Sequence, residues 1–160
     1  MKSKISSKTR VFKEDNIDTD IIIPACFLNT FDTAELSLHA MEGLESDFHK
    51  NAEKILVAGK NFGCGSSREH AVWALSGCGV EVVIAESFAR IFFKNAINFG
   101  IFPVILKDAP KLLEDREEIE IDFKNHQVKC EKGTFEFEKL PGFISKITEA
   151  GGLIPLLAKG

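Results

Sequence analysis

The 160-residue sequence lacks a long hydrophobic run: the longest, Ile21 to Leu28, is eight residues and contains Pro24. A membrane span takes about 20 apolar residues, so none is expected. Basic residues near the N-terminus (Lys2, Lys4, Lys8, Arg10) have no apolar stretch behind them, which argues against a secretory signal. No cysteine pair has CxxC spacing, and Cys26, Cys64, Cys78 and Cys130 are irregularly placed. They do not resemble cluster ligands or a disulfide framework, so reduced thiols in a cytoplasmic protein are expected. His39, His49, His70 and His126 are scattered without a metal-binding spacing, and no metal is expected on this chain. A basic face is also lacking. The net charge is −4, spread over both halves, so nucleic acid and anionic membrane are not expected partners. With no internal repeat and no Pro- or Gly/Ser-rich linker, residues 1–160 are expected to form one domain.

Short β-branched runs alternate with helical patterns up to about Lys107. Val11-Phe12 and Ile21-Ile22-Ile23 read as strands around a polar turn, and Thr33–Met41 as a helix. Ile55–Ala58, Val80–Ala85 and Phe102–Leu106 read as buried strands, with helices Glu69–Ser76 and Ser87–Phe99 between them. Gly77 and Gly100 close those helices. This is the pattern of parallel strands with crossover helices. The apolar residues of Ser87–Phe99 cover more than one face, as in a deeply buried helix or one at a subunit contact. After Lys107 the sequence changes: Ile119, Ile121, Phe123, Val128, Cys130, Phe135 and Phe137 keep a period of two among charged residues. That predicts an antiparallel meander with one wet face. Phe143–Ala150 reads as a closing helix.

The strongest local feature is Gly63-Cys-Gly-Ser-Ser-Arg-Glu-His70, between a strand and a helix. It is no Walker loop, since no Lys precedes Ser66, and no GxGxxG loop, since Arg68 takes the third glycine's place; no GxSxG elbow occurs either. Two readings fit the spacing. Ser66 and Glu69 have capping-box spacing, so the segment could simply start a helix. Alternatively, two glycines that admit a ligand, a helix N-terminus, Ser66, Ser67 and Arg68 make an anion site for a polar acid.

Asp18-Thr-Asp-Ile-Ile-Ile-Pro24, Gly59-Lys-Asn-Phe-Gly-Cys-Gly-Ser-Ser-Arg-Glu-His70 and Ala85-Glu-Ser-Phe-Ala-Arg-Ile-Phe-Phe-Lys-Asn-Ala-Ile-Asn98 together resemble the small subunit of 3-isopropylmalate dehydratase. That family corresponds to the swivelling fourth domain of aconitase. The resemblance implies an α/β swivel-type fold: parallel strands with crossover helices plus an antiparallel portion, forming a partly open barrel. It implies Ser66 as the catalytic base, Ser67 and Arg68 as contacts to substrate carboxylate, and Thr19 and Asp20 as cleft residues. Phe27, Leu28, Asn29 and Thr30 match the family's substrate-recognition loop. The homoaconitase version commonly has an arginine at the position of Asn29; here no Lys or Arg lies between Lys13 and Lys50. An uncharged loop suits an apolar group such as isopropyl, because a carboxylate left unpaired there is costly. Cys64 stands where aconitase has an acidic residue, and redox sensitivity there is open. The resemblance further implies a large subunit that carries a [4Fe–4S] cluster, with no cofactor held by this chain. The expected substrate is a small hydroxy-dicarboxylic acid: isopropylmalate, or in related enzymes homoaconitate, citraconate or 2,3-dimethylmalate. A non-catalytic anion-binding module and a purely structural partner subunit are the alternatives of other classes. Self-association of the isolated chain is also consistent with the apolar Ser87–Phe99 helix.

Overall fold

A computed structural model describes residues 4–66, 68–142 and Lys146. Seven strands form one sheet in the order β4-β3-β2-β1-β5-β6-β7. Strands β1 (Lys4–Val11), β2 (Ile55–Ala58), β3 (Val82–Ala85) and β4 (Phe102–Ile105) are parallel neighbours. Strands β5 (Glu118–Asp122), β6 (Gln127–Cys130) and β7 (Gly133–Glu136) continue from β1 as an antiparallel meander. Both halves match the expected pattern.

The period of two divides the core. Ile55, Val57, Val82, Ile84 and Val104 point to one face, where Ile5, Ile119, Ile121 and Val128 join them. Leu56, Ala58, Val83 and Ala85 point to the other face and meet helices α4 (Glu69–Gly77) and α5 (Arg90–Phe99). Helices α1 (Thr19–Ile22), α2 (Thr33–Ser37) and α3 (Phe48–Asn51) supply Ile22, Leu36 and Phe48 to the same cluster. The short α6 (Ala109–Leu112) follows β4 and gives Ala109 to the first face. Beyond β7, Phe137 packs into that face, and the Glu138 N–H donates to the Ile105 carbonyl at 3.1 Å. The meander thus curls back toward β4, and the sheet is a partly open barrel.

Some boundaries differ from expectation. β1 begins at Lys4, not near Val11. Its polar residues hid it: Thr9 is fully buried, and its hydroxyl donates to the Glu114 carbonyl at 2.6 Å. Ile21–Ile23 is no strand. Asp18 accepts from the Ile21 N–H at 2.9 Å and caps α1, while Ile22 and Ile23 are fully buried. An Asx cap and tertiary burial outweigh β propensity there. Helix α2 stops at Ser37 and continues as turns through Leu44. Helix α5 starts at Arg90 rather than Ser87, because Ser87 and Ala89 bond instead to the glycine loop. It buries Phe92, Ala96 and Ile97, leaving Ile91 and Phe99 exposed. The expected helix at Phe143–Ala150 lies outside the described residues.

Arg10 ties β1 to both sides. It is 7% exposed, and its guanidinium lies 2.6 Å from Glu45 Oε1 and 2.6 Å from Asp115 Oδ1. Removing it strands two carboxylates that keep some contact with water. Arg10→Ala should therefore cost about 3 kcal/mol in a urea melt. Lys129→Ala, on an exposed pair with Glu120, should stay within about 0.5 kcal/mol.

Asp122 supports the β5–β6 turn. It accepts from the Asn125 side-chain amide at 2.8 Å and from the Lys124 and Asn125 N–H groups. Bonding by the Asn125 side chain, then by its backbone, holds the carboxyl below its ordinary pKa. The folded value lies below the unfolded one, so this contribution is present above the unfolded pKa and lost as pH falls through the folded value. Asn125→Ala should lower stability at neutral pH and make its loss below about pH 4 shallower, read from urea midpoints across pH.

Candidate active site

Because β1 and β2 are parallel neighbours, the loops after them leave the sheet side by side. Backbone bonds zip the two together. The Asn16 N–H donates to the Lys60 carbonyl (2.8 Å), Gly63 to Ile17 (2.8 Å) and Thr19 to Cys64 (2.8 Å). Asp15 Oδ1 accepts from the Lys60 N–H at 2.7 Å. The segment after β3 closes the other side: Phe62 donates to the Ser87 carbonyl and Ala89 to that of Phe62, both at 3.0 Å.

The glycines serve this packing. Gly63 has φ +82°, and a Cβ there would lie 2.3 Å from Phe92 Cβ. Gly65 has φ +101°, and its Cβ would face Thr19 Oγ1 at 3.2 Å. The sequence suggested that both glycines admit a ligand; these close approaches are to the protein itself.

Ser66 is exposed and lies two residues before Arg68, the N-cap of α4. The capping box is not formed, since Ser66 precedes the cap and Arg68 makes no side-chain cap bond. Among the described residues the Ser66 hydroxyl has no partner. Ser67 lies outside the described residues. Arg68 Nη1 donates to Asp20 Oδ1, joining two expected site residues 48 positions apart. The Arg68 side chain is mostly buried, while Asp20 is 65% exposed. Thr19 is buried and holds the loop through its N–H rather than standing open. Burial, aided by the Asp18 carboxylate, raises the Cys64 pKa, so its thiol stays protonated and weakly reactive. Burial pushes Cys78 up to about 11.

The expected recognition loop, residues 27–30, follows α1. Ala25–Phe27 form a 3₁₀ turn, Phe27, Leu28 and Thr30 are half-buried, and Asn29 is exposed. The next residue, Phe31, is 76% exposed and lies 5.8 Å from His70 and 6.1 Å from Trp73, ring centre to ring centre. The loop therefore crosses the first turns of α4, the helix that Arg68 caps.

Residues 39–109 match the Aconitase C-terminal domain family. The chain is 52% identical over 144 residues to the 3-isopropylmalate dehydratase small subunit of Caldicellulosiruptor bescii, covering 88% of this chain and 87% of that protein. It belongs to the 3-isopropylmalate dehydratase small-subunit family. The 2,3-dimethylmalate dehydratase small subunit of Eubacterium barkeri is 46% identical over 155 residues, covering 94% and 95%. The crystal structure of 3-isopropylmalate dehydratase (leuD) from Methanocaldococcus jannaschii superposes with a TM-score of 0.90 at 41% identity, covering 98% of this chain and 94% of that one. The swivel-type fold expected from the motifs is thus the observed one.

Two further residues lie beside these loops. Asp18 caps α1 and faces Cys64; its signal was an Asx cap three residues before Ile21. His70 lies beside Phe31 and Trp73, with a buried Nε2 that has no partner among the described residues. No group of three His, Cys, Asp or Glu converges among the described residues.

Gly63→Ala should lower stability by about 3 kcal/mol, combining positive-φ strain with overlap. Phe92→Ala should not rescue it, because the overlap begins at Cβ. Gly79, at φ +88° with open space around it, should cost only about 1 kcal/mol as Ala. Thermal unfolding of the three variants measures this.

Proposed function

We propose that this chain is the small subunit of a hydro-lyase that interconverts 2- and 3-isopropylmalate by dehydration and rehydration, in leucine biosynthesis in the cytoplasm. The chain acts as one swivel domain and is active only with a large subunit. The observation that carries the proposal is the Arg68–Asp20 pair at the start of α4, with the Ser66 carbonyl accepting from the Arg68 N–H. A serine hydroxyl is too weak an acid to ionise unaided at neutral pH. The α4 N-terminus, two residues on from Ser66, presents a positive dipole end that favours its alkoxide, and Arg68 adds to this only as far as Asp20 leaves its charge uncompensated. Arg68, held by Asp20, presents further N–H donors to a substrate carboxylate; Ser67 adds a hydroxyl.

In the forward direction Ser66 Oγ takes the proton from the carbon next to the hydroxyl-bearing carbon. The C–H electron pair becomes the new double bond as the neighbouring C–O bond breaks, and the leaving hydroxide takes a proton from solvent to become water. Returning a proton from Ser66, with water added at the other carbon, yields the isomer. A [4Fe–4S] cluster on the large subunit would supply Lewis-acid polarisation of the leaving hydroxyl. The recognition loop contains no cation, which suits an apolar side group. The Eubacterium barkeri relative favours 2,3-dimethylmalate as the second reading, with the same chemistry and a smaller apolar group.

The test is turnover by the reconstituted complex, followed by ultraviolet absorbance of the unsaturated acid. Ser66→Ala should lower kcat by at least about 10³-fold with assembly intact. Retained turnover would leave only an anion-binding role. Arg68→Lys should act mainly on KM, raising it about 10-fold or more through loss of the bidentate contact.

A further inference from the structure

The recognition loop's side chains are not equivalent. Phe27 turns inward. Its ring stacks on His39, with centroids 3.8 Å apart and planes 15° from parallel, and it packs against the helix-side core. His39 is itself fixed. Its Nδ1 lies 2.9 Å from Glu42 Oε2, which sets the plane of the imidazole. Its backbone sits between buried Leu36 and Ala40 and buried Met41, and the Met41 N–H donates to the Ile22 carbonyl at 2.8 Å. The other end of the loop has its own clip: the Thr30 hydroxyl donates to Glu35 Oε2 at 3.1 Å and accepts from the Asp32 N–H at 3.1 Å. Two side chains remain. Leu28 is half-buried but belongs to neither core cluster, and Asn29 is exposed.

We propose that His39 is a positioning residue for substrate recognition: by holding Phe27 it sets where Leu28 and Asn29 meet the variable group of the substrate. This rests on the reading of residues 27–30 as the recognition loop. Phe27 is then an anchor and not part of the pocket wall. Leu28 supplies the apolar contact, and Asn29 bounds it with an uncharged polar group.

An aromatic stack of this kind shifts the balance between a docked and a released loop by roughly 3- to 10-fold. The released loop still admits each acid but no longer grips its side group, so its population raises KM for the preferred acid by up to about that factor and for the poorer acids by less. Ser66, Arg68 and Asp20 are not touched, so kcat stays. A merely structural role for His39 would move stability without changing the preference among substrates.

The experiment uses the complex with its native large subunit. His39→Ala, His39→Phe and Leu28→Ala are compared on 2-isopropylmalate, 2,3-dimethylmalate and citramalate. His39→Ala should raise KM for the preferred acid about 3- to 10-fold, leave kcat within about twofold, and compress the preference among the three acids. His39→Phe, which keeps a flat ring against Phe27, should restore both. Leu28→Ala should also change the preference. Unchanged KM and preference in His39→Ala, or no rescue by His39→Phe, overturns the proposal. If His39→Ala does not assemble, Glu42→Gln replaces it; a smaller rise in KM with the same compression supports the proposal, and no change overturns it. If the wild-type complex converts none of the acids, the functional reading fails, and the anchor is judged on the isolated chain. There, amide exchange at residues 27–30 should accelerate in His39→Ala, and unchanged rates contradict it.

Discussion

The parallel pairing of β1 with β2 is the constraint on which the site depends. Adjacent parallel strands deliver the loops that follow them to one edge of the sheet. Here those loops are residues 12–18 and 59–68, and alternating backbone bonds between them leave little freedom. Each motif alone would be a polar turn. Locked together they bring Asp20 against Arg68, whose N–H donates to the Ser66 carbonyl. The glycines belong to this lock. Gly63 lets the loop press on Phe92, and Gly65 lets it press on Thr19.

The rest of the fold supports that edge. The antiparallel half fills one face with Ile119, Ile121 and Val128, and β1 is paired along both edges, to β2 and to β5. Arg10 then anchors β1 to loops on either side through Glu45 and Asp115. On the opposite face α4 and α5 cover β2 and β3. No described helix is long and apolar enough to cross a membrane. Chemistry and stability are divided in space: the barrel interior is apolar, while the candidate residues sit at the strand ends.

Local patterns in the sequence made most of this legible. Short β-branched runs ending near glycine marked β2, β3 and β4, and the period of two marked β5 to β7. What stayed hidden depended on distant partners. β1 looked too polar because Thr9 and Arg10 find their acceptors more than one hundred residues away. Ile21–Ile23 looked like a strand until Asp18 and burial made it a helical turn. The Ser66–Glu69 capping box had the right spacing, but Ser66 stops two residues short of the cap, which Arg68 occupies, in a loop bonded to Ile17, Thr19 and Ser87. Ser66 and Arg68 were legible as part of an anion site, while the role of Ser66 and the inclusion of Thr19 and Asp20 came from motif resemblance, and their spacing gave no hint of the Asp20–Arg68 pair. His39 was invisible because stacking on a residue 12 positions earlier leaves no local signature.

The central claim is that the strand-end loops are locked before any partner or substrate arrives. Amide hydrogen exchange on the isolated chain tests it most directly, at the Gly63 and Thr19 N–H groups that bond across the two loops. Protection comparable to the amides of β2 and β3 is the predicted result. Exchange at the rate of exposed loop amides would contradict the account, and would mean that the site forms only on assembly.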